Sequence, residues 1–338
     1  MSFHLLNIFL KTGRLLAITP PSTETKENNR CRQMHQVLMI VGIVVGVIVS
    51  TYYKNFYLQY NLAKITVCLL TDCVLCAFCC RIIVEASRVR SWRGLVDGLE
   101  ETASLVQDED AQTSKVVFKF LGLQVVFWGC TIYIQTYWVT ILGMLQLKQY
   151  SVEILETYIQ FFYTFYICTV LEMIRKRYES LRRLYEHRFV QNGPNLVQMS
   201  RFVCSLKKVV NAFNDNFGYS LILLICFTTL QFLNYLDYNL QSHEYGKENL
   251  TQVPTLMAIL KCDNIVEESQ KIIFLVSHST LNIVDCEKHE DLDRFFNILA
   301  TNLPDFSAAR FFSINRSTIL SIFGTVTSFL IVLVTFDP

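Results

Sequence analysis

The sequence predicts an all-α membrane protein with about seven transmembrane helices, a cytoplasmic N-terminus and an extracellular C-terminus. Of its 338 residues, 52% are hydrophobic and only 17% are charged, which is more apolar than a globular surface tolerates. Long apolar segments hold this excess, and they are predicted to be helices because an open strand leaves its backbone groups unsatisfied in lipid. The formal net charge of +1 argues against nucleic acid as a partner.

The N-terminal region, residues 1–36, is predicted to be cytoplasmic. Its opening apolar stretch, residues 3–10, has no basic segment before it and no small-residue cleavage site after it, so it does not resemble a signal peptide. We expect an amphipathic segment that ends at Pro20 and Pro21, followed by polar residues that lead into the first span.

The spans follow from the length that a helix needs to cross the bilayer, which is about 20 mostly apolar residues. The segments that approach this length are residues 37–53, 65–84, 120–141, 154–174, 217–238 and 317–336. A further span is predicted at about residues 245–262. It is abbreviated, because only residues 253–260 are mostly apolar, about half of a crossing.

Basic residues set the direction of the spans, because Lys and Arg collect in cytoplasmic loops. With the abbreviated span counted, 26 of the 30 Lys and Arg residues fall on the cytoplasmic side. Without it, 20 of them fall on the cytoplasmic side and 10 on the outer side. Seven spans are therefore favoured, with helices one to six within residues 37–316 and the last helix and a short external tail in residues 317–338. The cytoplasmic loops are then residues 81–119, 175–216 and 261–316.

Two glycosylation sequons separate the seven-span from the six-span topology. Asn249, in Asn-Leu-Thr, faces outside in both topologies and is the predicted glycosylation site. Asn315, in Asn-Arg-Ser, faces outside only if the abbreviated span is absent.

Several groups of residues resemble chemical sites but have simpler interpretations. Cys73, Cys76, Cys79 and Cys80 have the spacing of metal-cluster ligands, yet they lie in an apolar span, where Cys packs as a small hydrophobe. The six His residues form no H-x-x-x-H pair, and the sequence has neither a Gly-rich phosphate loop nor a G-x-S-x-G elbow. We therefore predict no enzyme activity, no catalytic residues, no metal and no cofactor.

Two charged features have two interpretations each. Asp72 lies deep in the second span, where an unpaired carboxylate costs about 2.5–3.5 kcal/mol, so it faces either a wet ligand cavity or a partner on a neighbouring helix. Residues 175–188 continue the fourth span as a basic helix. This helix either binds anionic lipid or a partner helix, or simply anchors the cytoplasmic side of the span.

The last span carries a stripe of hydroxyl groups. Ser321, Thr325, Ser328 and Thr335 are spaced by 4, 3 and 7 residues and share one face of the helix with Val332. In one interpretation several copies of this helix surround a pore, which Val332 and a Phe at 336 narrow by dewetting. In the other, the hydroxyls bond to carbonyls of their own helix or assist helix packing.

The C-terminal segment resembles the signature of insect gustatory receptors, which ends in T-Y, five apolar residues and Q-F. Here Ser328 and Phe329 stand at the T-Y positions, residues 330–334 are the apolar five, Thr335 stands where Gln is usual, and Phe336 matches Phe. The pattern Cys262-x4-Glu267-x3-Lys271 also resembles the cytoplasmic approach to the last helix in this family.

The resemblance implies a taste receptor of the plasma membrane, a multi-pass, ligand-gated, non-selective cation channel that an external small-molecule tastant opens. It further implies a homo- or hetero-tetramer with other receptor subunits in membrane lipid, in which each last helix lines a central pore. Thr335 and Phe336 would lie at its narrow outer part, and Asp337 would form an acidic ring at the mouth. The predicted pore-lining residues are Ser321, Thr325, Ser328, Val332, Thr335, Phe336 and Asp337.

For the tastant, we expect a pocket of aromatic and polar residues in the outer halves of the spans. The candidate ligand-binding residues are Asp72, Tyr133, Gln135, Trp138, Tyr158, Gln160, Thr228, Gln231 and Tyr235. Their other interpretation is that they are anchors at the membrane boundary, where Trp and Tyr collect.

Departures from the family pattern keep two other functions open. Thr335 replaces Gln and Phe329 replaces Tyr, and we expect these two departures to alter gating rather than fold. The sixth span is short, which would suit an accessory or non-conducting subunit of a receptor complex. The other alternative is a seven-helix receptor that signals through a cytoplasmic partner, but its Asp-Arg-Tyr and Asn-Pro-x-x-Tyr signatures are missing from the expected places.

Overall fold

The computed structural model describes residues 10–19, 29–54, 62–104, 113–191, 196–241, 253–281 and 286–336, and most of them are helical. In chain order the elements are α1 (residues 10–15), α2 (Asn29–Tyr53), α3 (Leu62–Glu85), α4 (Val89–Ser104), α5 (Thr113–Leu142), α6 (Leu145–Gln191), α7 (Leu196–Gln241), α8 (Val253–Leu281), α9 (Cys286–Thr301), β1 (Ser307–Ala308), β2 (Phe312–Ser313) and α10 (Arg316–Phe336).

Each of the long apolar segments lies within one helix. By length and hydropathy, the described segments that could cross a membrane are Arg30–Tyr53, Lys64–Glu85, Leu145–His187 and Leu196–Leu236. Large apolar side chains are exposed along α2 and α5, as Val37, Leu38, Val125 and Ile132 illustrate. An apolar outer surface of this extent suits contact with lipid.

The core is built on α6 and α7, which have 47 and 46 residues. At 1.5 Å per residue each is about 70 Å long, more than twice the hydrocarbon thickness of about 30 Å. The second half of α6 and the first half of α7 extend beyond the predicted spans and lie within residues 175–216, the second of the predicted cytoplasmic loops. The amphipathic helix α4 packs there, and its Trp92 ring lies 5.4 Å from Phe217 of α7 and 5.7 Å from Tyr166 of α6.

Helix α8 is continuous over 29 residues, about 43 Å. The apolar stretch of residues 253–260 is therefore only its first part. Lys261, which closes that stretch, forms an ion pair with Glu172 of α6. Farther along, Arg182 of α6 lies 3.4 Å from Glu268 of α8. The polar part of α8 is thus held against α6 by charge as well as by packing.

A short hairpin leads into α10. Ser307 pairs with Ser313 and Ala308 with Phe312, and the two turn residues, Ala309 and Arg310, have positive φ angles of 48° and 65°. Positive φ at both central residues gives the turn the twist that a tight hairpin requires. The hairpin packs directly on α7, and α10 buries one face, formed by Thr318, Ile322 and Val326.

Candidate functional site

A buried ion-pair cluster joins the end of α2 to α3 and α6. The Nζ atom of Lys54 lies 2.9 Å from Oδ2 of Asp72 and 3.2 Å from Oε2 of Glu153. The Lys54 side chain is only 3% exposed, whereas those of Asp72 and Glu153 are 17% and 35% exposed. A buried ammonium needs such partners, because transferring a lone charge out of water costs several kcal/mol. Asp72 therefore has the helix-to-helix partner that one of its two interpretations requires.

Further contacts fasten the end of α2 to the start of α6. The Ser50 hydroxyl donates to the carbonyl oxygen of Gln149, and the Gln149 amide donates to that of Tyr53 at 2.8 Å. The Tyr150 ring lies 5.3 Å from Lys54 Nζ, within range of a cation–π interaction. These contacts fix the register of α6 at the level of the ion pairs.

Two more polar side chains continue from Glu153 along the same face of α6. Glu156 and Gln160 follow it at i+3 and i+7, so the three share one side of the helix. Glu156 and Gln160 are each 2% exposed, and the Oε1 atom of each has no hydrogen-bond partner among the described residues. Leaving a buried acceptor unsatisfied costs about 1–3 kcal/mol. We call Glu153, Glu156 and Gln160 the acceptor face of α6.

Helix α3 covers this face. The Cys79 thiol of α3 lies 3.8 Å from the carbonyl oxygen of Glu156, and below Gln160 the next residue on the face, Tyr163, packs edge-on against Phe78 of α3 at 5.9 Å. Aromatic rings thus close the inner end of the acceptor face, while the half-exposed Glu153 marks its outer end.

Of the predicted pocket residues, Asp72, Tyr158 and Gln160 lie around the start of α6. The Tyr158 ring is 4.9 Å from Trp128 and 5.5 Å from Phe127, both on α5, so these rings form an aromatic wall between α5 and α6.

The other predicted pocket residues lie on α5 and α7. Tyr133 of α5 is 75% exposed, Gln135 is partly buried with an unpartnered Oε1 among the described groups, and Trp138 packs against Tyr137 at 5.7 Å. Thr228 of α7 is buried and donates to the carbonyl oxygen of Leu224 at 2.8 Å, whereas Gln231 and Tyr235 are partly buried. The structure therefore does not gather all nine residues around one point.

Lys54, Glu153 and Glu156 are not among the site residues predicted from the sequence. A usable signal was present, because Glu153, Glu156 and Gln160 recur at helical spacing at the start of an apolar segment.

Within the described part of the chain, the hydroxyl stripe of α10 is left exposed. Ser321, Thr325, Ser328 and Thr335 are all exposed, and each hydroxyl donates to the carbonyl oxygen four residues earlier, at 2.6 to 3.0 Å. The donors are used within the helix, as one interpretation predicted, while the oxygen lone pairs remain available to water. Val332 and Phe336 also lie on α10, whereas Asp337 and Asn249 lie outside the described residues.

The first residue of α10 is tied to α8. Nε of Arg316 lies 2.6 Å from Oδ2 of Asp263, and its Nη2 lies 3.3 Å from Oε2 of Glu267 and 3.4 Å from Oδ1 of Asn264. A hydrogen bond from Lys271, strengthened by its charge and by that of Arg316, lowers the pKa of the Glu267 carboxyl group. Together with the α6–α8 ion pairs, these contacts connect α6 to α10 through α8.

The basic continuation of α6 has a partner helix within the chain. Tyr178, Leu181 and Tyr185 are buried, and the Tyr185 ring stacks on Phe295 of α9 at 6.2 Å. On the same helix Arg175 lies 3.4 Å from Glu172 and 3.2 Å from Glu179. This part of the helix therefore packs through its apolar face, and much of its charge is balanced locally.

Cys73, Cys76, Cys79 and Cys80 of α3 differ in burial, with Cys73 exposed and Cys79 buried. Across the residues that the structure describes, no three His, Cys, Asp or Glu side chains are grouped so as to hold a metal ion.

Comparison with known proteins adds a family and a fold. The model of the family described as "7tm Chemosensory receptor" matches residues 6–338. The structure of the insect olfactory receptor OR5 from Machilis hrabei is similar with a TM-score of 0.67 at 13% identity, over 98% of this chain and 99% of that chain. The same receptor in complex with eugenol is similar with a TM-score of 0.57 at 13% identity, over 100% of both chains. No curated protein matches the sequence.

The likeness to the olfactory receptor confirms the predicted all-α, seven-transmembrane fold class. At 13% identity the likeness by itself shows the fold.

Proposed function

Because the chain belongs to the seven-transmembrane chemosensory receptor family, we propose that it is a taste receptor of the plasma membrane, a non-selective cation channel opened by an external small-molecule tastant. The family is one of receptors and not an enzyme class. The observation that carries the taste assignment is the C-terminal pattern of Ser328, Phe329, the apolar residues 330–334, and Phe336. The complex of the olfactory receptor OR5 with eugenol supports a small molecule as the ligand.

The pore is proposed to lie along α10, between four copies of this chain or between this chain and related subunits. In the single chain, Thr318, Ile322 and Val326 face the core, while the hydroxyl stripe faces away from it. A stripe of hydroxyl oxygens on an otherwise apolar helix suits a surface that is wet in the assembled channel.

The tastant is proposed to bind near the acceptor face of α6, at the extracellular side. This location follows from the direction of the spans, because 26 of 30 Lys and Arg residues lie on the side that is taken to be cytoplasmic. The aromatic wall of Tyr158, Trp128 and Phe127 lies on the side of α6 that faces α5, and the acceptor face lies on the side that faces α3. Aromatic side chains and a few buried polar groups are the materials from which small-molecule sites are made.

Opening is proposed to pass from α6 to α10 through α8. A tastant that shifts α6 would shift α8 through the Lys261–Glu172 and Arg182–Glu268 ion pairs. Helix α8 in turn holds Arg316 at the start of α10. The coupling requires two arrangements of these contacts that the tastant stabilises to different extents.

An accessory subunit is the second candidate function. It is favoured by the short apolar part of α8 and by Thr335 in place of the usual Gln. Such a subunit would reach the cell surface and alter the currents of relatives without conducting by itself.

The test is whole-cell current from this chain expressed alone and with related receptors, during application of a tastant panel. We expect a ligand-evoked cation current whose rectification or leak changes in Phe336→Ala. Phe118→Ala on α5, where Phe118 is 73% exposed, is the matched control and is expected to leave the current unchanged. If the chain reaches the surface but every combination is silent, the channel proposal fails. If it only modifies the currents of relatives, it is an accessory subunit.

A further inference from the structure

The ion-pair cluster around Lys54 carries more negative than positive charge. Asp72 and Glu153 both contact the single ammonium group of Lys54. Glu156, one turn farther along α6, lies close enough to Glu153 and Asp72 for their charges to interact. Two carboxyl groups therefore contact one described cation, and a third, that of Glu156, lies near them with an Oε1 atom that has no hydrogen-bond donor among the described residues.

The two unsatisfied atoms of the acceptor face are of the same kind. Oε1 of Glu156 and Oε1 of Gln160 are both acceptors, they are one helical turn apart, and each belongs to a side chain that is 2% exposed. A bound group that carries hydrogen-bond donors would satisfy both acceptors. Because one of the two acceptors belongs to a carboxyl group, a positively charged donor gives a charge-assisted hydrogen bond and is favoured over a neutral one.

From these observations we infer that the acceptor face of α6 binds the ammonium group of a small organic amine, which donates to Glu156 and Gln160. This inference rests on the proposed function, since it names the chemical class of the tastant. An ammonium group offers up to three donors and no acceptor, which matches two acceptors and an excess of carboxylates. A carboxylic acid would be repelled, and an ether or ester would bring further acceptors.

The aromatic rings of the site favour an amine that has an apolar body. The rings of Tyr163 and Phe78 close the inner end of the acceptor face, so an apolar group meets aromatic surface there. A bare metal ion is a poorer occupant, because no three potential metal ligands converge in the described part of the chain.

The experiment compares amines with alcohols of the same carbon skeleton. Purified full-length protein in lipid nanodiscs is titrated with phenethylamine, tryptamine and hexylamine, and with 2-phenylethanol, tryptophol and hexanol. We expect each amine to bind at least tenfold more tightly than its alcohol, which is the size of effect that a charge-assisted hydrogen bond produces. This comparison uses the wild-type chain, so it does not depend on any variant folding.

Variants then locate the site. Glu156→Gln keeps the shape of the side chain and removes its charge, so amine affinity is expected to fall at least tenfold while alcohol affinity stays the same. Gln160→Leu removes the second acceptor and is expected to weaken amine binding by a smaller factor. Glu186→Gln, on the same helix but at its other end, is the matched control and should have no effect.

Equal binding of amines and alcohols, binding of neither, or full amine affinity in Glu156→Gln would each overturn the inference. These outcomes leave the channel proposal standing if neutral tastants still evoke current. Conversely, amine binding without current from any ligand would contradict the channel proposal while supporting the amine site.

Discussion

Replacing Gly218 with Ala is predicted to strain the contact between α7 and the hairpin that precedes α10. A Cβ atom at this position would lie 2.6 Å from the backbone nitrogen of Ala309, 3.0 Å from its Cα and 3.2 Å from the carbonyl oxygen of Ser307. Carbon atoms in good packing are about 3.5–4.0 Å from their neighbours. Because the neighbours are backbone atoms, they cannot rotate away, and the hairpin itself must move by roughly 1 Å to restore that spacing.

Two opposing effects set the magnitude. Ala is favoured over Gly in a helix by about 1 kcal/mol, while overpacking a tight contact costs about 1–3 kcal/mol. Gly129→Ala on α5 is the matched control, because a Cβ there would have nothing within 4 Å, and this variant shows the helix effect alone. The free energy of unfolding of Gly129→Ala minus that of Gly218→Ala therefore gives the cost of the overpacked hairpin contact, which we expect to be about 1–3 kcal/mol.

The assay is the apparent melting temperature of the purified variants in one detergent, with surface expression as a second readout. Gly218→Ala is expected to melt below the wild type, and Gly129→Ala at or above it. Because the hairpin leads into α10, Gly218→Ala should also change the ligand concentration needed for half-maximal current. If Gly218→Ala is as stable as Gly129→Ala and gates normally, the hairpin does not pack on α7 as described.

Four further variants test other contacts. Ala309→Gly removes the backbone strain of a non-glycine residue with φ of 48° and should stabilise the fold by up to about 1 kcal/mol, which is measured as a higher apparent melting temperature. An unchanged or lower melting temperature would contradict the turn geometry. Lys54→Met removes the buried ammonium group that Asp72 and Glu153 both contact, and it should lower thermal stability more than the removal of a surface lysine, such as Lys271→Met. Arg316→Gln should cost less than about 1 kcal/mol because the side chain is exposed, yet it should shift the dose–response curve of the current; an unshifted curve would argue against coupling through α8. Asp337→Asn should reduce cation conductance at equal surface expression, and unchanged conductance and selectivity would remove the proposed acidic ring.

The spans could be predicted because lipid imposes a length and an apolar composition that a linear sequence displays directly. Residues 37–53, for example, lie within α2, and residues 65–84 lie within α3. Span length does not predict the helical parts outside the spans. The basic continuation of α6 over residues 175–188 is predicted from its basic residues, whereas the first half of α7 is not predicted. Beyond residue 174 these helices are stabilised by contacts between helices, such as the stacking of Tyr185 on Phe295, which leave no run of apolar residues.

Two other features depend on long-range contacts or on an unusual local choice. Lys54 meets a carboxylate 18 residues away and another 99 residues away, so its role emerges only when the three helices pack. The hairpin before α10 turns at Ala309 and Arg310, whereas tight turns of this kind usually contain Gly or Asn. Without those residues the sequence offers no signal for a turn, although the turn leads directly into α10.

Because α6 is one continuous helix, a small tilt moves its two ends in opposite directions. It has 47 residues, with the acceptor face near one end and the ion pairs to α8 past its middle. A rigid tilt of about 3° around its midpoint displaces each end by about 2 Å, since each arm is about 35 Å long. Arg182 lies about 21 Å from that midpoint, so the same tilt moves it by about 1 Å. Its 3.4 Å contact with Glu268 would then lengthen beyond the roughly 4 Å limit of an ion pair.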